Sequence, residues 1–412
     1  MGWSSVLPAD LRVGAQNRLA ALAENIIRSD CGIRSAPELC DRALFCAYLG
    51  RCEGDRGAYL QALEYLNAAA ECVSNQSPNG AFDGLAAVGW TIEHLRAMLV
   101  AAGVLHADDA ADPLEELEQQ LLLRLRRDRW LEHYDLISGL SGIGLFFLER
   151  LPLATAREGL RRVLDHLEAL AERTDSGITW YTPARLVPES QRDEAPDGYY
   201  NLGVAHGVPG VIYFLCEIAT ADIERSRAER LLDGSVRWLL AQQQALPSWW
   251  LYPNWIAPRR SRKPSRLAWC YGDLGIAAVL RHVARRLEQG ELRNNAQELF
   301  DHCLPRSGGC TEPTLCHGAL GIAHIFNRVY QSEADTRYLD AANRYYQLGL
   351  SLLDAAPTHN ATGDDSNRAR SSCFLQGDVG AALALLAALY AIKPGWDRRL
   401  LVSGRRVTAL AM

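Results

Sequence analysis

Two cysteines of this chain stand at the same kind of place. In "LAWCYGDLGIAAVL" (267–280), Cys270 lies two residues before Gly272, and an apolar run follows. In "TLCHGALGIAHIF" (314–326), Cys316 lies two residues before Gly318, with His317 between them. Thiolate sulfur and imidazole nitrogen suit Zn²⁺, and three protein ligands leave a fourth tetrahedral position open to a substrate. Adjacent positions on neighbouring helix mouths can converge on one point, so one zinc ion held by Cys270, Cys316 and His317 is the expectation. The competing reading is that these thiols are buried as small apolar side chains. That role is expected for Cys46, Cys52, Cys72 and Cys216, while Cys303, Cys310 and Cys373 are competing ligands outside the repeated position.

His206, in "GVAHGVPG", is read as the counterpart of Cys270 one copy upstream. Imidazole is the natural proton carrier near neutral pH. Asp135, in "HYDLISGLSG", precedes Gly139 by four residues. It could orient or charge-couple to His206, or cap the following helix. Arg266 closes the basic run "RRSRKPSR" (259–266) and stands four residues before Cys270. It could bind a carbonyl oxygen, or be a solvated charge. Tyr271 could donate a hydrogen bond or simply pack.

The elements that must position these groups form a repeat. It reads "FDGLAAVGW" (82–90), "ISGLSGIGLFFL" (137–148), "AHGVPGVIYFL" (205–215), "CYGDLGIAAVL" (270–280), "CHGALGIAHIF" (316–326) and "LQGDVGAALALL" (375–386). The leading glycines, Gly84, Gly139, Gly207, Gly272, Gly318 and Gly377, are 46 to 68 residues apart, room for two helices and their loops. A degenerate copy near "RALFCAYLGRC" (42–52) would make seven. Between the copies lie amphipathic helices. In "AREGLRRVLDHLEALAERT", Leu160, Val163, Leu164, Leu167 and Leu170 line one face. Enclosed helices alternating with amphipathic ones predict an all-α fold, a double-layered α/α toroid of about seven helical hairpins in one domain over 1–412. An open helical solenoid is the rival. In the toroid the glycines let inner helices crowd at their N-termini. Unpaired N–H groups and positive dipole ends there favour anionic species.

Composition narrows the function classes. The chain has 412 residues, 48% hydrophobic and 22% charged, and can bury a substantial core. A net charge of −6 argues against nucleic acid as a partner. "MGWSSVLPADLRVGAQ" lacks a signal-peptide pattern, and Val6 breaks the myristoylation pattern. The longest apolar run, "AALALLAALYAI" (381–392), is too short to span a bilayer. A cytoplasmic protein with reduced thiols is expected from eleven cysteines without a secretion signal.

In "NLGVAHGVPG", "SRLAWCYGDLG" and "CHGALGI" the sequence resembles the lanthionine synthetase C-like family of lanthipeptide cyclases, and the spaced glycine motifs extend the resemblance over nearly the whole chain. The resemblance implies an α/α toroid. It makes Cys270, Cys316 and His317 the zinc ligands and His206 the catalytic acid/base, with Asp135, Arg266 and Tyr271 around it. Some relatives carry a small β-containing insertion in the N-terminal half, but 112–133 reads as helix here, so none is expected. The implied reaction is Michael addition of a peptide cysteine thiol to dehydroalanine or dehydrobutyrine, which closes the thioether rings of lanthipeptide antibiotics. A thiol of pKa about 8.5 is mostly protonated at neutral pH, and zinc coordination deprotonates it. Addition at the β-carbon gives an enolate, which His206 could protonate and Arg266 could stabilise.

The implied partner is a dehydrated ribosomal precursor peptide, with a separate dehydratase and a transporter as further candidates. Association with a membrane would come only through those partners. A non-catalytic protein holding glutathione or a cysteine peptide at the same zinc site is the alternative. A glycosidase on a similar barrel would need paired carboxylates, and a bare helical scaffold would hold no metal. Two loops, 176–200 and 245–266, are expected to rim the cleft. The second brings Trp249, Trp250 and Trp255 next to basic residues, to contact peptide or to pack. A polar loop, 356–372, is expected to be mobile.

Overall fold

The computed structural model describes residues 2–28, 35–106, 112–245, 248–306, 309–355 and 373–405. The loop 356–372 lies outside the described residues. The helices are α1 (Ala9–Arg28), α2 (Ala36–Glu53), α3 (Arg56–Glu71), α4 (Leu85–Ala101), α5 (Glu115–Leu125), α6 (Leu140–Glu149) and α7 (Ala154–Leu170). After them come α8 (Val208–Thr220), α9 (Arg225–Leu240), α10 (Asp273–Arg286), α11 (Gly290–Cys303), α12 (Ala319–Glu333), α13 (Thr336–Ala355) and α14 (Asp378–Leu389). None of the described helices is long and apolar enough to cross a membrane.

The helices pair as hairpins, the organisation of an α/α toroid: α2 with α3, α6 with α7, α8 with α9, α10 with α11, and α12 with α13. One helix of a pair is enclosed and the other amphipathic. All of α8 but Thr220 is buried, whereas α9 buries only a stripe that includes Ala228, Leu231, Leu232, Ser235, Trp238 and Leu239. Likewise α6 is buried except at Glu149, and α7 buries Leu160, Val163, Leu164 and Leu167. The two layers therefore follow from the sequence pattern: an all-round apolar helix must be covered on every side, and a striped one on a single side.

The chain divides into two compact units. One comprises Met1–Val73, His94–Asp109 and Ser307–Gly395, and the other Ser74–Glu93, Ala110–Arg306 and Trp396–Met412. The first holds the α2–α3 and α12–α13 hairpins, with α14 packed on α1, α2 and α12. The second holds the α6–α7, α8–α9 and α10–α11 hairpins.

The mouths of α4, α6 and α12 are built the same way. The N–H groups of Leu140, Ser141 and Gly142 donate to the carbonyls of His133, Tyr134 and Asp135, so the preceding loop folds back over the start of α6. At the start of α4, Leu85, Ala86 and Ala87 donate in the same register to Pro78, Asn79 and Gly80. The fold-back explains the glycines. A Cβ on Gly139 would lie 2.2 Å from the His133 oxygen, and one on Gly142 would lie 2.2 Å from the Leu136 oxygen. It also corrects the expectation of anion-seeking helix ends, because these first-turn N–H groups are already taken by loop carbonyls.

The helical pattern did not announce five short strands. A hairpin of β1 (Glu172–Thr174) and β2 (Gly177–Thr179) is followed by an antiparallel sheet in the order β3 (Tyr181–Pro183), β4 (Gly198–Asn201), β5 (Trp255–Ile256). Tyr181 pairs with Tyr200, which pairs with Ile256, and Asn201 pairs with Trp255. Thus loop 176–200 is partly sheet, while 112–133 contains α5 and no strand among the described residues. The sheet fixes Asn201 just before the mouth of α8.

Candidate active site

Backbone hydrogen bonds tie successive mouths together. In the second unit Ala81 N donates to Ile137 O (2.9 Å), Ile137 N to Ala205 O (3.3 Å) and Ala205 N to Cys270 O (3.4 Å). In the first unit Cys316 N donates to Leu375 O at 2.9 Å. Ile137, Ala205, Cys270, Cys316 and Leu375 all stand two residues before a motif glycine. Cys270 and Cys316 thus hold equivalent positions relative to their glycines, one in each unit. The counterpart of Cys270 in the α8 copy is Ala205, so His206 shares its register with Tyr271 rather than with the cysteine. Asp83 and His317 also stand directly before their glycines.

Within the second unit, His206, Asp135 and Tyr271 come together. His206 Nδ1 is 2.7 Å from Asp135 Oδ2. The imidazole side chain is 40% exposed and the carboxylate 3%, so a substrate can reach the ring but not its partner. Ser138 N donates to the other Asp135 oxygen at 2.9 Å, and His133 Nδ1 lies 3.9 Å from Oδ2. Burial opposes ionisation of Asp135. The charge and hydrogen bond of His206, with His133 and the Ser138 N–H, outweigh it and hold the carboxyl below its ordinary range. Burial likewise opposes protonation of His206, and Asp135, Cys270 and Asp83 outweigh it and raise the imidazole above its ordinary value. The pair is an oriented imidazole that binds its proton more tightly than a free one.

Tyr271 stacks beside His206 with ring centroids 6.5 Å apart. Its hydroxyl accepts from Asn201 Nδ2 at 3.1 Å, while Asn201 Oδ1 accepts from Gly203 N at 2.9 Å. Burial drives the phenol well above its ordinary range, so it stays neutral. Arg266 is exposed and makes no side-chain hydrogen bond or ion pair among the described residues. Its carbonyl oxygen lies where a Cβ on Gly272 (φ +93°) would fall.

Cys270 and Cys316 are both buried. In the first unit, His317 Nε2 is 3.0 Å from Glu312 Oε2, a carboxylate contact of the kind that orients a ligating imidazole. Among the remaining cysteines, Cys46 and Cys216 are buried core residues as expected, and burial pushes each thiol up to about 12. Cys72 is exposed and Cys52 only half-buried, so neither fills the core. Cys303 is buried and its thiol is raised well above its ordinary value, which makes it a poor ligand, and the Cys310 thiol donates to Glu312 O.

One Cys–Glu–His cluster of the second unit, Cys216, Glu217 and His282, has its donor atoms within 4.8 Å of one another. Arg286 closes it: Nε and Nη2 reach the Glu217 carboxylate at 2.8 and 3.0 Å, and His282 Nε2 reaches it at 2.8 Å. A guanidinium there opposes a cation, and the cluster is an ion-paired brace between α8 and α10.

Buried Asp273 accepts from Leu251 N and Tyr252 N and from Arg306 Nη1 (2.8 Å), which ties loop 248–256 to the start of α10. Trp250 is buried and packs the loop, whereas Trp249 is exposed beneath the Arg306 guanidinium. Asp83, His133 and Asn201 were not singled out from the sequence. The signal for Asp83 was its place directly before Gly84. Its carboxyl is raised by burial and by Asp135, and it accepts from Ser138 Oγ at 3.4 Å.

Comparison with known proteins places these features in context. A family model described as lanthionine synthetase C-like protein matches residues 42–401. The nisin biosynthesis protein NisC of Lactococcus lactis subsp. lactis is 24% identical over 285 residues, 65% of this chain and 64% of that protein. The chain thus matches somewhat less than two thirds of that relative's length. Among solved structures, nisin cyclase superposes with a TM-score of 0.72 at 18% identity, over 96% of this chain and 98% of that one.

Proposed function

The chain belongs to the lanthionine synthetase C-like family, and from that premise we propose that it is a zinc-dependent lanthipeptide cyclase. Its substrate would be a dehydrated ribosomal precursor peptide, handled in the cytoplasm, with a dehydratase and a transporter as further partners. The ion would be held by Cys270, Cys316 and His317, donors of the types that bind metal. Two cysteines at equivalent positions before their glycines, one followed by a histidine that a carboxylate orients, fit a Cys₂His set. Zinc, when bound, would keep a substrate thiol deprotonated.

The chain's own residues supply the rest. Asp135 fixes the tautomer and orientation of His206 through Nδ1 and leaves Nε2 to face the substrate. The proton released by the thiol passes to solvent, and His206 acts as imidazolium, the form its pairing with Asp135 favours. The sulfur then bonds to the β-carbon of dehydroalanine or dehydrobutyrine, the carbon–carbon double bond becomes an enolate, and the His206 imidazolium gives its proton to the α-carbon and regains one from solvent. Atoms balance with no change in mass. Tyr271, neutral and fixed by Asn201, flanks the ring, and the exposed Arg266 would supply a cation to the enolate oxygen or a nearby carbonyl.

The Asp135–His206 pair carries the catalytic reading, because a protein that only holds thiols needs no oriented acid/base. The test is incubation with a dehydrated, cysteine-containing precursor peptide, followed by thiol alkylation. Loss of alkylatable thiol is expected. A thiol count that stays constant, with glutathione binding retained, would leave only the non-catalytic alternative.

A further inference from the structure

A cavity of about 350 Å³ lies in the second unit between the segment at Asp193–Glu194 and the strand and loop at 254–264. Its volume is in the range of ligand sites. Nothing in the chemistry above uses it. We propose that it is a docking subsite for a neutral, extended segment of the peptide processed at His206. The proposal rests on the cyclase reading for the identity of that peptide.

Three features point to this occupant. The first is charge. Lys263 Nζ lies 2.8 Å from Glu194 Oε1, and Arg260 Nη2 donates to the Asp193 carbonyl at 3.3 Å. With both signs present on the wall and one pair matched, no net field selects an acidic or a basic ligand. The second is an acceptor without a donor: Asn254 Oδ1 is buried and has no hydrogen-bond partner among the described residues. A buried acceptor of this kind is uncommon in folded proteins, and a peptide offers an N–H at every residue.

The third feature is continuity with the reacting groups. Trp255 forms part of the cavity wall. Its indole stacks on Tyr199 with centroids 5.5 Å apart and meets Tyr271 edge-on at 6.0 Å. Tyr271 is the ring beside His206. Trp255 also belongs to β5, an edge strand of its sheet, so a chain entering the cavity would run along an extended edge. A peptide held there would be delivered to His206 past two aromatic faces.

The test uses the full chain and a mixture of N-acetylated, C-amidated hexapeptides of Gly, Ala, Ser and Val. These contain neither thiol nor dehydroalanine. Calorimetry should show binding, weakened tenfold or more in Asn254→Leu and in Ser261→Trp. The second variant fills the cavity from an exposed position, so it remains informative if the first fails to fold. An N-methylated mixture should bind less well than its parent, because it lacks the donors. Absence of binding to the unaltered protein, equal binding within twofold in both variants, or preference for acidic or basic hexapeptides would overturn the proposal. If the neutral peptides bind as expected but a dehydrated cysteine peptide is not cyclised, the subsite stands and the cyclase reading fails.

Discussion

Asp135 and His206, 71 residues apart in sequence, meet at 2.7 Å between a sealed carboxylate and an accessible ring. His206 sits above its ordinary value chiefly because Asp135 outweighs the penalty of burial. In the unfolded chain it would lose its proton near 6.5. Its stabilising contribution is therefore complete below that value and disappears as pH rises through the higher folded value. Asp135→Asn should bring the His206 titration, followed by imidazole NMR at equal metal content, to lower pH. The alkaline limb of ring closure should move with it. An unmoved titration would mean that Asp135 does not govern the ring.

Ligand and acid/base roles separate in a pair of variants. Cys316→Ala removes a proposed metal donor, so zinc measured on the purified protein should fall from one equivalent towards none, and ring closure should go with it. His206→Asn should keep its zinc and slow ring closure by about 10²–10⁴-fold, the usual weight of a positioned acid/base. Retained metal and activity in Cys316→Ala would refute that ligand assignment. Loss of metal in His206→Asn would make His206 a structural residue or a ligand.

Sequence alone revealed the helical hairpins because the requirement behind them is local. A loop that folds back on its helix needs Gly139 and Gly142 wherever it recurs, and an enclosed helix such as α8 must be apolar throughout. The types of Asp135 and His206 suggested their pairing, but their distance is set by the contact of two mouths through Ile137 and Ala205. The strands escaped notice because two to four residues are too few for alternation to stand out. Asn201 escaped with them, since its role depends on β4 ending beside Tyr271. His206 matches Cys270 in chemistry but not in register, since Ala205 holds the position two residues before the glycine.

The fold-back loops give a test that is independent of chemistry. Gly142→Ala places a methyl group 2.2 Å from the Leu136 oxygen, a backbone atom that cannot turn aside. Destabilisation of about 1–3 kcal/mol is expected in denaturant titrations, as for other overpacked sites. Gly290, the first residue of α11, has nothing within 4 Å of the same added atom. Gly290→Ala should be neutral or stabilising by up to about 1 kcal/mol. Equal losses in both would show that close approach is not what holds glycine at the mouths.

The brace between α8 and α10 predicts a specific acid response. Burial opposes the Glu217 charge, but His282 and Arg286 outweigh it and depress the carboxyl from 4.5 to about 2. A depressed acid stabilises the fold above its unfolded value, and the contribution drains away as pH falls from about 4.5 towards 2. Between those limits it amounts to roughly 3 kcal/mol. Glu217→Gln, which keeps the shape and removes the charge, should therefore be less stable than the parent at pH 7. The gap should narrow through that acid window as the parent's own carboxylate protonates. Chemical unfolding of both proteins at pH 7, 4.5 and 3 reads the difference directly. A gap that stays constant with pH would mean that the charge of Glu217 is not what Arg286 and His282 hold in place.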